Sequence, residues 1–388
     1  MKLWKRASGV FKDQNSIWIS SLSRRTSLRN PDIEAAVIKA TSHDESHVDY
    51  RNAQRVFAWV RMSPNYLKPL VWAIAIRMEK TCSWVVALKG LMLMHGIFCC
   101  KVPAVQKIGR LPFDLSNFKD GHSNPSKTWG YNAFIRAYYA FIDQKSTFIY
   151  LYAQERKGKW KEEEAPLMQD LVWLQKLQGL LDMLLQLKPQ TGLMIGILVL
   201  EAMDCIVIEI FDVYSQICNR VAAVLMRIYS VGKVEAAMAL RVLQKATIQG
   251  EELALYFEFC RDIGVINASE CPEVEQIPDE DIQELEDIIN GVYEESNTHY
   301  STFQKDKAIV VRETNHMTDL ERKDSTASLQ TIITNRWEVF EDDQRKVGGV
   351  NYSTMIKARE EEPFVALPTT LPHKVHGKNE DLPDLISF

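Results

Sequence analysis

The chain has 388 residues, of which 46% are hydrophobic, and this content supports a buried core and excludes a protein that is disordered throughout. Its formal net charge is only −5, but residues 1–110 hold 18 Lys and Arg against 7 Asp and Glu, so the rest of the chain is strongly acidic. A basic front attracts phosphate groups, whereas an acidic remainder repels them. We therefore expect any binding to an anionic surface to be confined to the N-terminal part.

The cysteines indicate a reducing compartment. There are 7 of them, an odd number without CxxC spacing, so they indicate neither a zinc site nor a disulfide framework. We expect no bound metal and no cofactor. Charged residues interrupt the two most apolar windows, 70–100 and 193–211, and neither is expected to span a membrane. No apolar segment with a cleavage site follows the first basic residues, so we expect a cytoplasmic protein without a secretory signal.

Helical periodicity dominates the chain from Asp32 onwards. Apolar residues recur at spacings of three and four to about Tyr293, which predicts an all-helical body of roughly eight to ten helices. Pro31 and Pro64 each follow a capping residue and predict helix starts, and Pro189 ends a leucine-rich run. The fold class predicted from this pattern is all-α.

Two stretches punctuate or end the helical region. The highly charged segment 155–164 predicts a solvated connection between a first bundle and a second group of longer helices. From Cys271 the composition turns acidic around a last amphipathic pattern, near residues 282–289. Beyond about Ser296 the periodicity fades, which predicts a disordered tail.

Several short segments resemble the successive signatures of one family, the ANTH domains of clathrin-assembly adaptors. The segments are 83–91 (SWVVALKGL) with His95, 115–120 (LSNFKD) and 134–138 (FIRAY), in the order and spacing of that family. Residues 38–43 (IKATSH) resemble its KAT-type segment, and residues 277–286 resemble the last helix of its plant members. The resemblance covers roughly residues 20–292.

The resemblance implies a fold and a set of partners. The fold is an ANTH-type right-handed helical superstructure, in which an ENTH-like bundle at 20–155 is extended by further long helices at 165–292 and followed by a coat-binding tail at 297–388. The implied partners are clathrin, the appendage domain of an adaptor complex, a phosphoinositide membrane surface and vesicle SNARE cargo. The implied location is the cytoplasmic face of clathrin-coated pits and vesicles, including Golgi-derived ones.

In this family the lipid headgroup is held by the KAT lysine and by a Lys-x-Lys-His cluster, because several cations must converge on several phosphate charges. Lys39 matches the first position, and the cluster falls on residues 49–52, where Arg51 keeps the charge and Asp49 reverses it. The phosphoinositide site that the resemblance predicts consists of Lys39, His43, Arg51 and Asn52. An accessory basic membrane face is predicted at Lys2, Lys5, Arg6, Arg24 and Arg25.

The histidines admit other roles. His43 and His47 are four residues apart and could share a helix face as metal ligands, but no third ligand has a compelling spacing, which favours loop histidines near phosphate. His95 lies among Leu and Met side chains, where a hydrogen-bonded core histidine is expected rather than a catalytic one.

The tail holds two short peptide motifs. Trp337, Phe340 and Asp342 match a WxxFx[DE] pattern that engages adaptor appendage domains, in which two aromatic anchors fill two pockets. Leu385, Ile386 and Phe388 resemble a clathrin box that lacks its trailing acid. Weak motifs of this kind gain avidity when several act together.

The sequence therefore predicts a non-enzymatic clathrin-assembly adaptor. It has no Walker-type loop, no GxSxG and no HExxH motif, which argues against catalysis. One alternative is a family member with weakened lipid specificity that acts mainly as a SNARE, cargo or coat interaction module. A nucleic-acid-binding helical protein is a further alternative, against which stand the absence of a recognisable binding module and the acidic remainder.

Overall fold

The computed structural model describes residues 2–22, 24–26, 28–121, 125–156, 167–227 and 232–269, together with residues 271, 282, 283, 286 and 287. Within this part, the protein is helical without any strand, which confirms the predicted all-α class. The helices are α1 (Lys2–Ser21), α2 (Pro31–Ala40), α3 (Tyr50–Met62), α4 (Leu67–Lys80), α5 (Trp84–Cys99), α6 (Pro125–Arg156), α7 (Leu167–Leu185), α8 (Ile197–Leu225) and α9 (Lys233–Asp262).

The structure contains one helix that the sequence did not predict, and several predicted segments lie outside the described residues. Helix α1 lies ahead of Asp32, where the predicted helical periodicity begins. Residues 282, 283, 286 and 287 are helical, in line with the last predicted amphipathic pattern. Most of the charged connection at 155–164, the whole tail at 297–388 and both tail motifs lie outside the described residues, and the domain boundaries stay predictions.

The predicted helix starts are confirmed at the capping residues. The Asn30 side chain accepts a hydrogen bond from the backbone N–H of Asp32, at 3.1 Å, and Pro31 occupies the first turn of α2. Pro64 begins a short 3-10 turn, Pro64–Tyr66, which leads into α4. The local sequence thus sets where α2 and the 3-10 turn begin, and α4 follows at Leu67 without a side-chain cap.

Helices α2 and α3 form a hairpin with two ends. Loop 41–49 joins them at one end, and at the other end Asn30 lies beside Pro64. Helix α4 packs along α2, and Arg77 near its C-terminus reaches Thr41, so the C-terminal end of α4 lies at the loop end of the hairpin. Helix α1 also packs against α2, and Asp13 of α1 contacts Arg77 of α4. This arrangement fixes which basic residues are neighbours.

Helix α5 lies at the centre of the core. It is buried from Trp84 to Phe98 and packs against α4, α6 and α8. Helix α7 packs on α6, α8 and α9, so one continuous hydrophobic cluster extends from α2 to α9. None of the helices in the described part combines the length and the apolar content that a membrane span requires.

Candidate functional site

Two of the predicted headgroup residues are exposed cations on either side of loop 41–49. Lys39 lies in the last turn of α2 and Arg51 in the first turn of α3. Both side chains are exposed, and neither has a hydrogen-bond or ion-pair partner within the described residues. Their charges are therefore available to an anion in solution.

The other two predicted residues already have partners within the protein. The backbone N–H of His43 donates to Asp13 Oδ2, and its Nδ1 lies against Asp13 Oδ1, both at 2.8 Å. Asn52 is only 8% exposed, and its side-chain amide donates to Asp49 Oδ2 at 2.7 Å. Asp49 in turn caps α3 by accepting the Asn52 backbone N–H at 3.1 Å. His43 and Asn52 thus shape the loop and its exit.

A buried carboxylate fastens α1 to this loop. Asp13 of α1 is 8% exposed and accepts a hydrogen bond from Arg77 Nη2, at 2.6 Å, in addition to those from His43. Arg77 also donates to the hydroxyl of Thr41 at 3.2 Å and to its carbonyl at 3.0 Å. Burial alone would raise the pKa of Asp13, but the hydrogen bonds from His43 and Arg77 outweigh it and lower that pKa. Asp13 is therefore held as a carboxylate.

A lysine of α5 also donates hydrogen bonds to loop 41–49. Lys89 of α5 is 2% exposed, and its Nζ donates to Ser42 Oγ at 3.2 Å and to the Asp44 carbonyl at 2.6 Å. Burial lowers the pKa of Lys89 to about 8, although nearby carboxylates such as Asp44 attract the charged form. Loop 41–49 is fixed by α1 on one side and by α5 on the other. Lys39 and Arg51 thus flank a loop with a defined conformation.

Helix α1 presents its apolar side to the outside. Its inward positions are small or polar: Gly9, Asp13 and Ser20 are buried. A Cβ added at Gly9 would lie 2.7 Å from the Cβ of His43, so the two backbones approach closely there. The outward face carries large apolar side chains, which are Val10 (53% exposed), Phe11 (73%), Trp18 (62%) and Ile19 (52%), and Leu22 (67%) follows directly after the helix. An ordinary surface helix has the opposite arrangement.

The accessory basic residues do not all lie at the same end of the hairpin. Lys2, Lys5 and Arg6 belong to α1, and their side chains are outside the described part. Arg24 and Arg25 are exposed in the connection between α1 and α2, and Arg25 forms an ion pair with Asp32. This connection leads into the start of α2, away from Lys39 at its end. Arg24 and Arg25 are thus separated from the loop by the length of α2.

His95 is a core histidine, as predicted. Its Nδ1 lies 2.8 Å from the Tyr138 hydroxyl and its Nε2 lies 3.0 Å from Glu209 Oε2. The ammonium of Lys145 also donates to Glu209 Oε2. Burial lowers the pKa of His95 despite the hydrogen bond to Glu209. Burial would raise the pKa of Glu209, but Lys145 and then His95 lower it to about 2. The network joins α5, α6 and α8.

The same cluster is the one place in the described part where a metal could be considered. His95, Cys99 and Glu209 bring one ligand atom each to within 4.8 Å of one another. Both ring nitrogens of His95 already have hydrogen-bond partners, and the Lys145 ammonium occupies Glu209. These contacts describe a satisfied buried ion pair rather than a vacant metal site.

Sequence reasoning missed three residues that build the site: Asp13, Arg77 and Lys89. Each contacts the loop from 30 to 47 residues away along the chain, so no local pattern indicates them. The apolar face of α1 could have been found. Phe11, Trp18 and Leu22 are spaced by seven and four residues, which places them on one side of a helix.

The fold and the site together define an all-helical protein that displays basic residues around a rigid interhelical loop. A model of the ANTH domain family matches residues 32–291, and the chain belongs to this family. Its N-terminal helix α1 precedes the matched region.

Three relatives from Arabidopsis thaliana are similar to this chain over most of their length. The chain is 54% identical to "Putative clathrin assembly protein At1g25240" over 345 residues, which are 88% of each chain. It is 48% identical to "Putative clathrin assembly protein At1g68110" over 89% of each chain. A third relative, "Putative clathrin assembly protein At1g14686", is 44% identical over 76% of this chain and 84% of its own.

Proposed function

We propose that the protein is a non-catalytic clathrin-assembly adaptor. Its N-terminal helices bind a phosphoinositide-containing membrane, and its tail recruits clathrin and an adaptor complex, which promotes the formation of coated pits and vesicles. Membership of the ANTH domain family and the names of the relatives support the clathrin-assembly part of this proposal. In this role the protein is a peripheral membrane protein of clathrin-coated pits and vesicles, including Golgi-derived ones.

The membrane part of the proposal rests on one observation, the outward apolar face of α1. Phe11 and Trp18 of α1 and Leu22 directly after it are each more than 60% exposed, while the inward face of α1 is small and polar. Inserting a large apolar side chain into a nonpolar phase contributes about 1.5–3 kcal/mol. Helices of this kind lie in the interfacial layer of a bilayer with their apolar side buried. Asp13, through His43, fixes this helix against loop 41–49.

The phosphoinositide headgroup, in this proposal, is bound by Lys39 and Arg51. Both are exposed and lack partners in the described part of the chain, on either side of a loop that α1 and α5 hold in place. Each cation near an anionic leaflet contributes about 1 kcal/mol. The Asp49 carboxylate, which accepts two hydrogen bonds from Asn52, keeps its negative charge and opposes this attraction.

The tail supplies the coat contacts in this proposal. Trp337, Phe340 and Asp342 bind an adaptor appendage, and Leu385, Ile386 and Phe388 bind clathrin as an extended peptide. Both segments lie outside the described residues. Two weak motifs on one chain would raise the effective concentration of the second contact once the first has formed.

A second candidate function is supported by the composition of loop 41–49. Asp44, Glu45 and Asp49 place three acidic residues next to Lys39 and Arg51, which reduces the attraction for a highly charged headgroup. In this variant the protein has weak lipid specificity and acts mainly as a module for SNARE, cargo or coat interactions.

Liposome co-sedimentation of the full chain tests the proposal. Phosphatidylinositol bisphosphate vesicles are compared with phosphatidylserine vesicles of equal surface charge, for the wild type and for Lys39→Glu with Arg51→Glu. Lys233→Glu, at an exposed lysine at the start of α9, is the matched charge control. A bisphosphate preference that the double variant loses and the control keeps supports the headgroup site. Equal binding to both vesicles by all variants would instead support the second candidate.

A further inference from the structure

A second basic pocket lies at the end of the α2–α3 hairpin that is opposite to loop 41–49. It is a cavity of about 520 Å³ between the segment that leads into α2 and the corner between α3 and α4. Its lining includes Arg25, Arg29 and Lys68 and contains no acidic residue. Its volume falls within the range of small-molecule sites.

Arg29 is held rigidly at the wall of this pocket. The Thr26 hydroxyl accepts a hydrogen bond from the Arg29 backbone N–H, at 3.0 Å, and the Thr26 N–H donates to the Arg29 carbonyl, at 2.9 Å. The guanidinium of Arg29 pairs with Glu34 at 3.1 Å and lies 5.2 Å from the ring centre of Trp72. A cation fixed in this way loses little conformational freedom when a ligand binds.

The other two cations can move towards a ligand. Lys68 is exposed on the first turn of α4 and has no hydrogen-bond or ion-pair partner among the described residues. Arg25 is paired with Asp32, but its side chain is 69% exposed. Exposed ion pairs of this kind contribute little to stability, so a multiply charged anion can compete with the Asp32 carboxylate for Arg25.

This pocket is distinct from the site around Lys39 and Arg51. Helix α2 has 10 residues between the pocket and Lys39. At a rise of roughly 1.5 Å per residue, the two ends are separated by about 15 Å. The two groups of cations therefore serve two separate binding events, and this inference does not depend on the proposed headgroup site.

We infer that the pocket of Arg25, Arg29 and Lys68 is a second anion-binding site that takes a ligand bearing several phosphate groups, of the size of an inositol phosphate. The pocket is lined by three cations and by no acidic residue, while Asp32 and Glu34 pair with Arg25 and Arg29 from outside the lining. Lys68 and the exposed Arg25 supply the charge that a polyanion recruits, and Arg29 adds a fixed positive group at the wall. The ligand is either a soluble inositol phosphate or the same chemical group on a lipid.

Titration calorimetry of the full chain with inositol 1,4,5-trisphosphate tests this site. The pocket variant is Arg25→Gln with Lys68→Gln, the loop variant is Lys39→Gln with Arg51→Gln, and Lys233→Gln is the exposed control. Arg29 is left unchanged because its contacts with Glu34 and Trp72 belong to the fold. Thermal unfolding of each variant confirms that the fold is kept.

We expect the loop variant to bind the trisphosphate at the pocket as the wild type does. In the pocket variant, the affinity of the pocket for the trisphosphate should fall roughly tenfold or more. If the proposed headgroup site fails, the wild type binds one equivalent and the pocket variant binds none. Unchanged binding by the pocket variant, or complete loss of binding by the loop variant, would overturn the inference.

A second arm separates the two sources of the phosphate group. Vesicles with phosphatidylinositol bisphosphate are sedimented with the pocket variant and with the wild type. Weaker sedimentation of the pocket variant assigns the pocket to a lipid headgroup. Unchanged sedimentation together with lost calorimetric binding assigns it to a soluble inositol phosphate.

Discussion

Helices α1 and α5 use polar and apolar residues in opposite ways. Helix α5 is buried from Trp84 to Phe98, and Lys89 and His95 are buried with it. Helix α1 turns Gly9 and Asp13 inward and leaves Phe11 73% exposed. In each helix, an inward charged group holds a neighbouring segment by hydrogen bonds. Of these two helices, α1 is the one whose large apolar side chains are mostly exposed among the described residues.

The comparison separates two reasons for an apolar residue to be present. The apolar residues of α5 stabilise the fold, because they exclude water from the core. Those of α1 cost little when exposed singly, but their alignment on one helix face is typical of a contact with another phase or another protein. Substitutions of apolar residues in α5 should therefore change the free energy of unfolding, and those on the outward face of α1 should change binding to vesicles.

The largest effect is expected at the buried ion pair that α5 contacts. Glu209→Ala leaves the Lys145 ammonium and the His95 ring without their acceptor in the core. We expect the free energy of unfolding to fall by about 3–5 kcal/mol, because an uncompensated buried charge remains. Urea denaturation measures this loss.

An exposed ion pair between α8 and the segment after α5 provides the control. Asp212 lies 3.7 Å from Lys101, and both side chains are largely exposed. Asp212→Ala should change the free energy of unfolding by less than about 1 kcal/mol. An equal loss in both variants would mean that the buried network contributes no more than a surface pair.

The next effect contrasts the two helices directly. Leu91 of α5 is fully buried, and Leu91→Ala should lower the free energy of unfolding by about 2–5 kcal/mol, since a cavity remains. Phe11→Ala on α1 removes a larger but exposed side chain and should change it by less than about 0.5 kcal/mol. Similar losses from both substitutions would show that α1 buries its apolar face within the protein.

Lys89 should produce a pH dependence of stability. Its pKa is about 8 in the folded protein against 10.5 for an ordinary lysine, so between these values the unfolded chain binds a proton that the folded protein has lost. Stability should rise with pH through this window by up to about 1.4 kcal/mol per pH unit. Urea denaturation at several pH values measures the slope against Lys89→Met, which lacks the group. Parallel plots of unfolding free energy against pH for the wild type and Lys89→Met would contradict the burial of the Lys89 ammonium.

The smallest effect is expected where α1 approaches the loop. Gly9→Ala places a Cβ 2.7 Å from the Cβ of His43 and should loosen α1 by about 1 kcal/mol, even though alanine favours the helix. Hydrogen exchange of the α1 amides measures the loosening. Gly179→Ala on α7 meets no atom within 4 Å and should not loosen its helix. Equal protection of α1 in the wild type and Gly9→Ala would exclude the close contact.

The helical fold could be predicted from the sequence because helix caps and apolar periodicity are signals carried by residues close together in the chain. Asn30 and Pro31 predict the start of α2, and the apolar surroundings of His95 predict a core position, and both are confirmed. Helix α1 was missed although Phe11, Trp18 and Leu22 recur with helical spacing, because this apolar stripe is short and polar residues such as Asn15 interrupt it. The family-specific segments lie within the matched residues 32–291, which exclude α1.

The site could be predicted only in part. Lys39 and Arg51 could be named from the sequence, and the structure exposes both. The sequence does not show that Asn52 is buried against Asp49, nor that His43 is bonded to Asp13 across 30 residues. The His43–Asp13 pairing depends on tertiary packing, whereas the Asp49–Asn52 pair is a local helix cap whose residue types the sequence does contain.

The most direct test of the account is vesicle binding by a protein with a polar α1 face. Phe11→Ser with Trp18→Ser changes two outward side chains of α1, and Val234→Ser with Leu255→Ser changes two exposed apolar side chains of α9 as a matched control. With phosphatidylinositol bisphosphate vesicles and the full chain, we expect the α1 variant to lose most of its sedimentation while its thermal stability and the binding of the α9 variant stay unchanged. Undiminished sedimentation of the α1 variant would contradict the assignment of α1 as the membrane contact.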